Sequence, residues 1–457
     1  MRLLAFFAVL LFHGCASAVE KPEPPGPDAP LPPDLGTRKE GSDWPSFLGP
    51  NGDSVSTETG IMPWPKQGPR VVWECKITNG YAAPAISRGR LFVFDRSRRG
   101  ARLRCLKAET GDELWTFEYP TDYEDKYNYS NGPRCFPVVD GDRVYCYGPE
   151  GMLHCLRVAD GQVVWKLDTA AEFGVIQNFF GVGSTPVIER DLLIAQVGGS
   201  PPGSTDVPLM ALKGNGSGVV GFDKYTGKVR WKITDELASY SVPVLATIDK
   251  RRWCFVFARG GLIGFDPANG KVDFHYPWRA KVLESVNASS PVVVGNKVLI
   301  SETYGPGAAL LEVQPGGVKE VWTDEKKGRD KSMMCHWNTP IHVDGYLYGC
   351  SGRHENNAEL RCIELATGKV MWSEPGLSRT SLLRVDGHFI CQAEDGLLLL
   401  LKVNPRKYEE VSRVVLLAGD QPLLKEPAWS APILSHGLLY VRGKDRLVCV
   451  ELITAKK

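Results

Sequence analysis

The chain has 457 residues and nearly balanced charge, 54 Lys+Arg against 53 Asp+Glu, which excludes a general attraction to nucleic acid or an anionic bilayer. Its 48 glycines and 33 prolines make up about 18% of the residues, against roughly 12% on average. Such frequent punctuation excludes long helices and coiled coil, while 43% apolar residues promise a packed core, in one closed unit or about three domains of ~150 residues.

At the N-terminus, Arg2 precedes an apolar run from Leu3 to Phe12. That run is shorter than the ~20 residues of a bilayer span and reads as an export signal over residues 1–18. Ala16-Ser17-Ala18 is a small-x-small cleavage site. Alternatively, Leu11 to Cys15 resembles a bacterial lipobox, with Phe12 and His13 departing from its usual small or aliphatic residues. Cys15 would then carry lipid, the only route to a membrane. Either reading places the chain outside the cytoplasm, in the periplasm or at the cell surface. Residues 19–42, with KPEPPGPDAPLPPD, read as an extended proline-rich tether.

Residues 43–457 read as one domain built from a repeat. Each unit runs small-Pro-apolar, a tight turn, an apolar strand, a loop, a third strand, then Gly and Trp. AAPAISRGRLFVFD…RLRCLKAETGDELW ends at Trp115, and CFPVVDGDRVYCYGPEGMLHCLRVADGQVVW ends at Trp165. The order recurs to Trp231, Phe274, Trp322 and Trp372. Units open on Pro84, Pro137, Pro186, Pro243, Pro291, Pro340 and Pro432, with Leu382 in that place in the seventh. A spacing of about 50 residues with four short strands per unit predicts a β-propeller, here all-β and eight-bladed, with four-stranded antiparallel blades. The eighth unit stops one strand short. Upstream, the orphan Arg70 to Ile77 places Trp73 where a fourth strand keeps its tryptophan, so this N-terminal strand is expected to complete the last blade and close the ring.

Cys105, Cys155, Cys362 and Cys449 recur at one position of the unit and read as small buried hydrophobes. Pairing among Cys135, Cys146, Cys335 and Cys350 stays open, and no CxxC supports zinc or haem. The repeat tryptophans read as blade-to-blade docking surfaces, and Gly111, Gly161, Gly227, Gly270 and Gly368 as backbone requirements of the turns before them.

The turns AETGDELW, VADGQVVW and ELATGKVMW resemble the PQQ-like propeller repeat, and DWPSFLGPNGDSVS resembles the N-terminal signature of exported proteins with that repeat. The resemblance spans roughly residues 43–455. It implies either a non-catalytic scaffold, like the BamB-type lipoprotein of outer-membrane assembly, or a quinone-dependent dehydrogenase. The dehydrogenase reading implies PQQ with calcium, Trp337 or Trp429 as aromatic floor, and Glu302 and Asn287 as oxygen ligands. The chain lacks the vicinal cysteines found over the quinone in many of these enzymes.

Propellers bind ligands where inter-blade connections and second-to-third-strand loops converge. That geometry nominates Asn131, Arg134, Asn178, Tyr240, Arg259, Asn287, Glu302, Tyr304, His336, Asn338, Arg353 and Trp429 as ligand-binding residues. Glu302 with His336 is a candidate acid–base pair. The loop from Gly198 to Gly218 is long for this fold, and its apolar PLMAL centre suits a lid over the funnel or a partner contact. The leading expectation is a non-catalytic exported scaffold, with no cofactor or metal, binding an envelope protein or a small polar ligand. A PQQ/calcium dehydrogenase and a carbohydrate-binding or carbohydrate-active propeller are the alternatives.

Overall fold

A computed structural model describes residues 30–455. The expected export signal, Cys15 and the first part of the expected tether lie outside the described residues. Eight four-stranded antiparallel sheets form an eight-bladed propeller. Blades 1 to 7 cover residues 85–119, 138–168, 187–233, 244–277, 292–323, 341–375 and 380–415. Blade 8 joins Ile433–Ser435, Leu438–Arg442 and Arg446–Glu451 to the N-terminal strand Arg70–Lys76. Each repeat proline sits immediately before an inner strand, as Pro84 before Ala85 and Pro432 before Ile433, where a missing N–H costs the ladder nothing.

The register explains the repeat. In three blades the recurrent cysteine on the third strand faces the tryptophan on the fourth: Cys105 with Trp115, Cys155 with Trp165, and Cys362 with Trp372. Cys449 faces Trp73 across the chain termini in the same way. Five repeat tryptophans donate Nε1 to a carbonyl of the following blade, Trp73 to Ala108, Trp115 to Val158, Trp165 to Lys224, Trp322 to Leu365 and Trp372 to Asn404, all at 2.9–3.0 Å, whereas Trp231 makes no such bond. The next blade's turn glycine lies against the ring. Gly111 has φ +77°, and a Cβ there would meet Trp73 at 2.9 Å. The tryptophans are therefore mortar between blades.

Blade 7 lacks this tryptophan yet keeps its fourth strand, Glu410–Val415. Ser412 stands opposite Leu400 and accepts a hydrogen bond from the Trp64 backbone N–H at 2.9 Å, and the Trp64 ring packs on the core shared by blades 7 and 8. Closure has a polar clasp as well. Buried Arg442 of blade 8 donates to the carbonyls of Ala82, Gly80 and Thr78, which lead from the N-terminal strand into blade 1.

Residues 30–61 form a strap over the face that carries the turns between first and second strands. Arg88 and Arg90 donate to the carbonyls of Pro32 and Pro33, and Thr37 and Arg38 bind Glu109. Trp44 exchanges two backbone hydrogen bonds with Ile86 of blade 1, at 2.9 and 2.8 Å, and Val139 of blade 2 donates to Pro45. Ser54 and Ser56 then bracket Arg384 of blade 7, and the Glu58 carboxylate accepts from the backbone of His436 and Gly437 in blade 8. The strap thus crosses the ring, and Phe47 and Leu48 lie over its axis among the inner strands.

All eleven described cysteines are free thiols, and all but Cys75 are buried. Cys135, Cys146, Cys335 and Cys350, left open for pairing by sequence, are among them. Burial pushes the thiols of Cys105 and Cys335 up to about 12, so little thiolate exists at neutral pH. Ellman's reagent is therefore expected to find almost no reactive thiol in native protein and a full complement after denaturation. Rapid native titration of several thiols would contradict this packing.

Candidate functional site

The inner strands and mouth-face loops enclose a cavity of about 550 Å³ on the axis. Its floor is the strap, through Phe47, Leu48 and Ser54. Its wall is an aromatic collar. Tyr304 bonds His336 through its hydroxyl and the ring Nε2 at 3.1 Å. His336 meets Trp337 at 4.9 Å between centroids, and Trp337 meets Trp429 at 5.1 Å. From Trp429 the contacts pass to Tyr81 and Tyr129, at 4.7 and 5.9 Å, and Tyr129 leads to Phe180 and then Tyr240.

Three arginines are set into this collar. Arg134 pairs with Asp125 at 2.7 Å and lies over Phe180. Arg379 pairs with Glu394 at 2.5 Å and lies over Trp337 and Trp429, while Trp429 Nε1 donates to the same carboxylate at 2.8 Å. Arg353 lies 4.4 Å over Tyr304 and makes no ion pair among the described residues. The collar therefore presents flat apolar faces, with Arg353 at its rim as a cation held by no ion pair among the described residues and Glu284 and Glu355 in the same lining.

Of the residues nominated from sequence, Arg134, Tyr240, Tyr304, His336, Asn338, Arg353 and Trp429 line this cavity. Five do not. Asn287 is fully buried and donates to the carbonyls of Ala258 and Trp278, holding an inter-blade crossing. Glu302 is buried and accepts from Ser285 Oγ and Gly305 N–H, at 2.9 and 3.0 Å. Asn131 accepts from the Asp125 backbone and lies in an outer groove beside Arg96. Asn178 and Arg259 line a separate, off-axis cavity. The Gly198–Gly218 loop walls that second cavity through Leu212, and no residue from it lines the axial one.

Tyr81, Tyr127, Tyr129, Phe179 and the floor residue Phe47 escaped the sequence reading. The signal existed in the run YEDKYNYSNG between blades 1 and 2, an aromatic-rich insertion that the repeat template discards.

The acid–base pairing of Glu302 with His336 is not built, since each is bonded elsewhere. Burial, aided by Arg379 and Arg353, pushes the His336 imidazole down to about 3, far below the near-neutral value that suits a general base. The quinone-and-calcium donor set does not fit either. Trp337 and Trp429 offer an aromatic platform, but Glu302 and Asn287 stand outside the cavity. Among the described residues no three His, Cys, Asp or Glu side chains converge to hold a metal.

A second buried imidazole, His154, packs between Phe117 and Tyr119, and burial lowers it to about 4. The unfolded chain takes up this proton near pH 6.5 and the folded one only near 4. Stability contributed here is thus full above pH 6.5 and falls by on the order of 3 kcal/mol as pH drops to 4. His154→Phe should flatten that limb in urea denaturation at pH 7 and pH 4; an unchanged pH slope would refute the assignment.

A profile of the family described as outer membrane protein assembly factor BamB matches residues 99–374. The chain belongs to this family of PQQ-like β-propellers. It is 20% identical over 321 residues to the outer membrane protein assembly factor BamB of Moranella endobia (strain PCIT), covering 67% of this chain and 71% of that one. Among solved structures it is similar to BamB from Moraxella catarrhalis, with TM-score 0.56 and 13% identity over 85% of this chain and 98% of that one. It is also similar to quinohemoprotein alcohol dehydrogenase from Comamonas testosteroni, with TM-score 0.59 and 12% identity over 91% and 81%. At these identities the structural likenesses speak for the fold, which both kinds of protein share.

Proposed function

We propose that the protein is a non-catalytic binding propeller of the cell envelope that holds a segment of a partner protein at the mouth of the axial cavity. The observation that carries this reading is the collar itself. Tyr, Trp and Arg, the residue types that dominate protein-binding hot spots, line a concave site, with Tyr127 and Tyr129 exposed at its rim. The unpaired Arg353 favours an acidic residue in the bound segment. The export signal and the kinship with an outer membrane assembly factor support an envelope location. Among the described residues no helix is long and apolar enough to cross a membrane.

A photo-crosslinking side chain in place of Tyr129 is expected to trap one specific envelope polypeptide in intact cells. Arg353→Ala combined with Trp429→Ala should weaken the purified complex at least tenfold. Stoichiometric uptake of PQQ with calcium, accompanied by dye reduction with alcohols, would overturn the scaffold reading. Saturable glycan binding abolished by Trp429→Ala would replace it with the carbohydrate reading.

A further inference from the structure

The second cavity, of about 270 Å³, lies off the axis between blades 2, 3 and 4, and the chain from Asn178 to Gly183 divides it from the collar. Its lining concentrates unmet polar atoms. Arg259 is 3% exposed, yet its Nε and Nη2 make no hydrogen bond within the described protein, and it forms no ion pair there. Asn178 Oδ1 and Ser200 Oγ, both from the same lining, are likewise buried without a protein partner. Burial pushes the Arg259 guanidinium down to about 10, so it still carries its charge at neutral pH.

Arg442 is the informative contrast. Equally buried, it directs its Nη atoms at backbone carbonyls and is a structural clasp. Arg259 has no such use, and the nearby Glu236 is already bound by the Gly260 N–H and His275. Glu236 acts on it only through space and its guanidinium lies 5.5 Å over the Phe179 ring, so the Nε and Nη2 hydrogen bonds of this buried cation stay unmet, which is costly.

We infer that this cavity is a binding site for a small aliphatic monocarboxylate, held side-on by Nε and Nη2 of Arg259 beneath the Gly198–Gly218 loop. The free Nε/Nη2 edge matches the two oxygens of a carboxylate. A single arginine and no lysine in the lining suit one negative charge. Glu150 in the same wall, held by the hydroxyls of Tyr119 and Thr121, disfavours a multiply charged anion. Val175, Ile176, Val182, Leu212 and Leu237 provide an apolar berth for a short hydrocarbon body. This site stands apart from the collar and from the partner-binding reading.

The test uses 4-methylpentanoate, its neutral amide, and sodium chloride at matched ionic strength, read by thermal shift and calorimetry on the mature protein. The carboxylate should raise the melting temperature and bind with saturable stoichiometry near one. The amide should bind at least tenfold more weakly. Arg259→Gln should melt at or above the wild-type temperature, because it removes a buried charge whose hydrogen bonds are unmet, and should lose the response to carboxylate. Leu212→Trp, which fills the cavity from the loop, should also abolish it and serves if Arg259→Gln does not fold. Equal responses to acid, amide and chloride, or a carboxylate response retained in either variant, would overturn the assignment.

Discussion

Deleting residues 70–78 is expected to abolish cooperative unfolding of the entire ring rather than fray one edge. The strand Arg70–Lys76 pairs along Arg446–Glu451 and supplies the tryptophan that docks blade 8 onto blade 1. Truncating a buried tryptophan alone costs about 3–5 kcal/mol, a large share of the ~5–15 kcal/mol that holds a typical domain folded. The deletion also bares the apolar strand Leu447 to Val450 as an unpaired edge and removes the Thr78 carbonyl from the Arg442 clasp. A synthetic peptide of residues 70–78 added in trans should restore part of the transition. A deletion variant that melts like the full chain would show that closure contributes nothing.

Trp44→Ala is the second large effect. Trp44 is 2% exposed and lies where the strap pairs backbone to backbone with the inner strand of blade 1, with Gly49 packed against its ring. Its loss should cost about 3–5 kcal/mol in denaturant titration. Because Phe47 and Leu48 follow directly, the floor of the axial cavity should loosen too. Quenching of collar tryptophans by acrylamide is expected to rise more than for a matched destabilising change in blade 4, such as Phe265→Ala. Equal quenching in the two variants would detach the strap from the cavity.

The ring was legible because each blade repeats one physical solution. A proline opens the inner strand in every blade but the seventh, a cysteine or glycine faces the tryptophan in five blades while Leu310 faces Trp322 in blade 5, and a glycine turn receives the neighbouring ring. The closing strand could be recognised before pairing was seen, since Trp73 carries the same mark. The strap's course was not legible. Its residues match a signature, and its partners Ile86, Val139, Arg384 and His436 recur at related places of blades 1, 2, 7 and 8, but a segment outside the repeat carries no mark of which blades it will bridge.

At the site, sequence could find polar residues at loop positions but could not tell which serve the backbone. Asn287 satisfies carbonyls at a blade crossing, whereas Asn338, also hydrogen-bonded to a carbonyl, still lines the cavity. Only packing separates such cases. The tyrosines of 120–132 were missed for the opposite reason, because an insertion between repeats has no template to be read against.

The strap also fixes a direction. Residues 30–43 lie against the turns of blades 1 and 8, on the side of the disc away from Tyr127, Tyr129 and Glu355 at the cavity rim. With its floor sealed, the ring is a cup with a back and a front. The described chain enters this ring from behind the cup, so a rigid fusion joined at residue 30 is expected to leave the open side unobstructed.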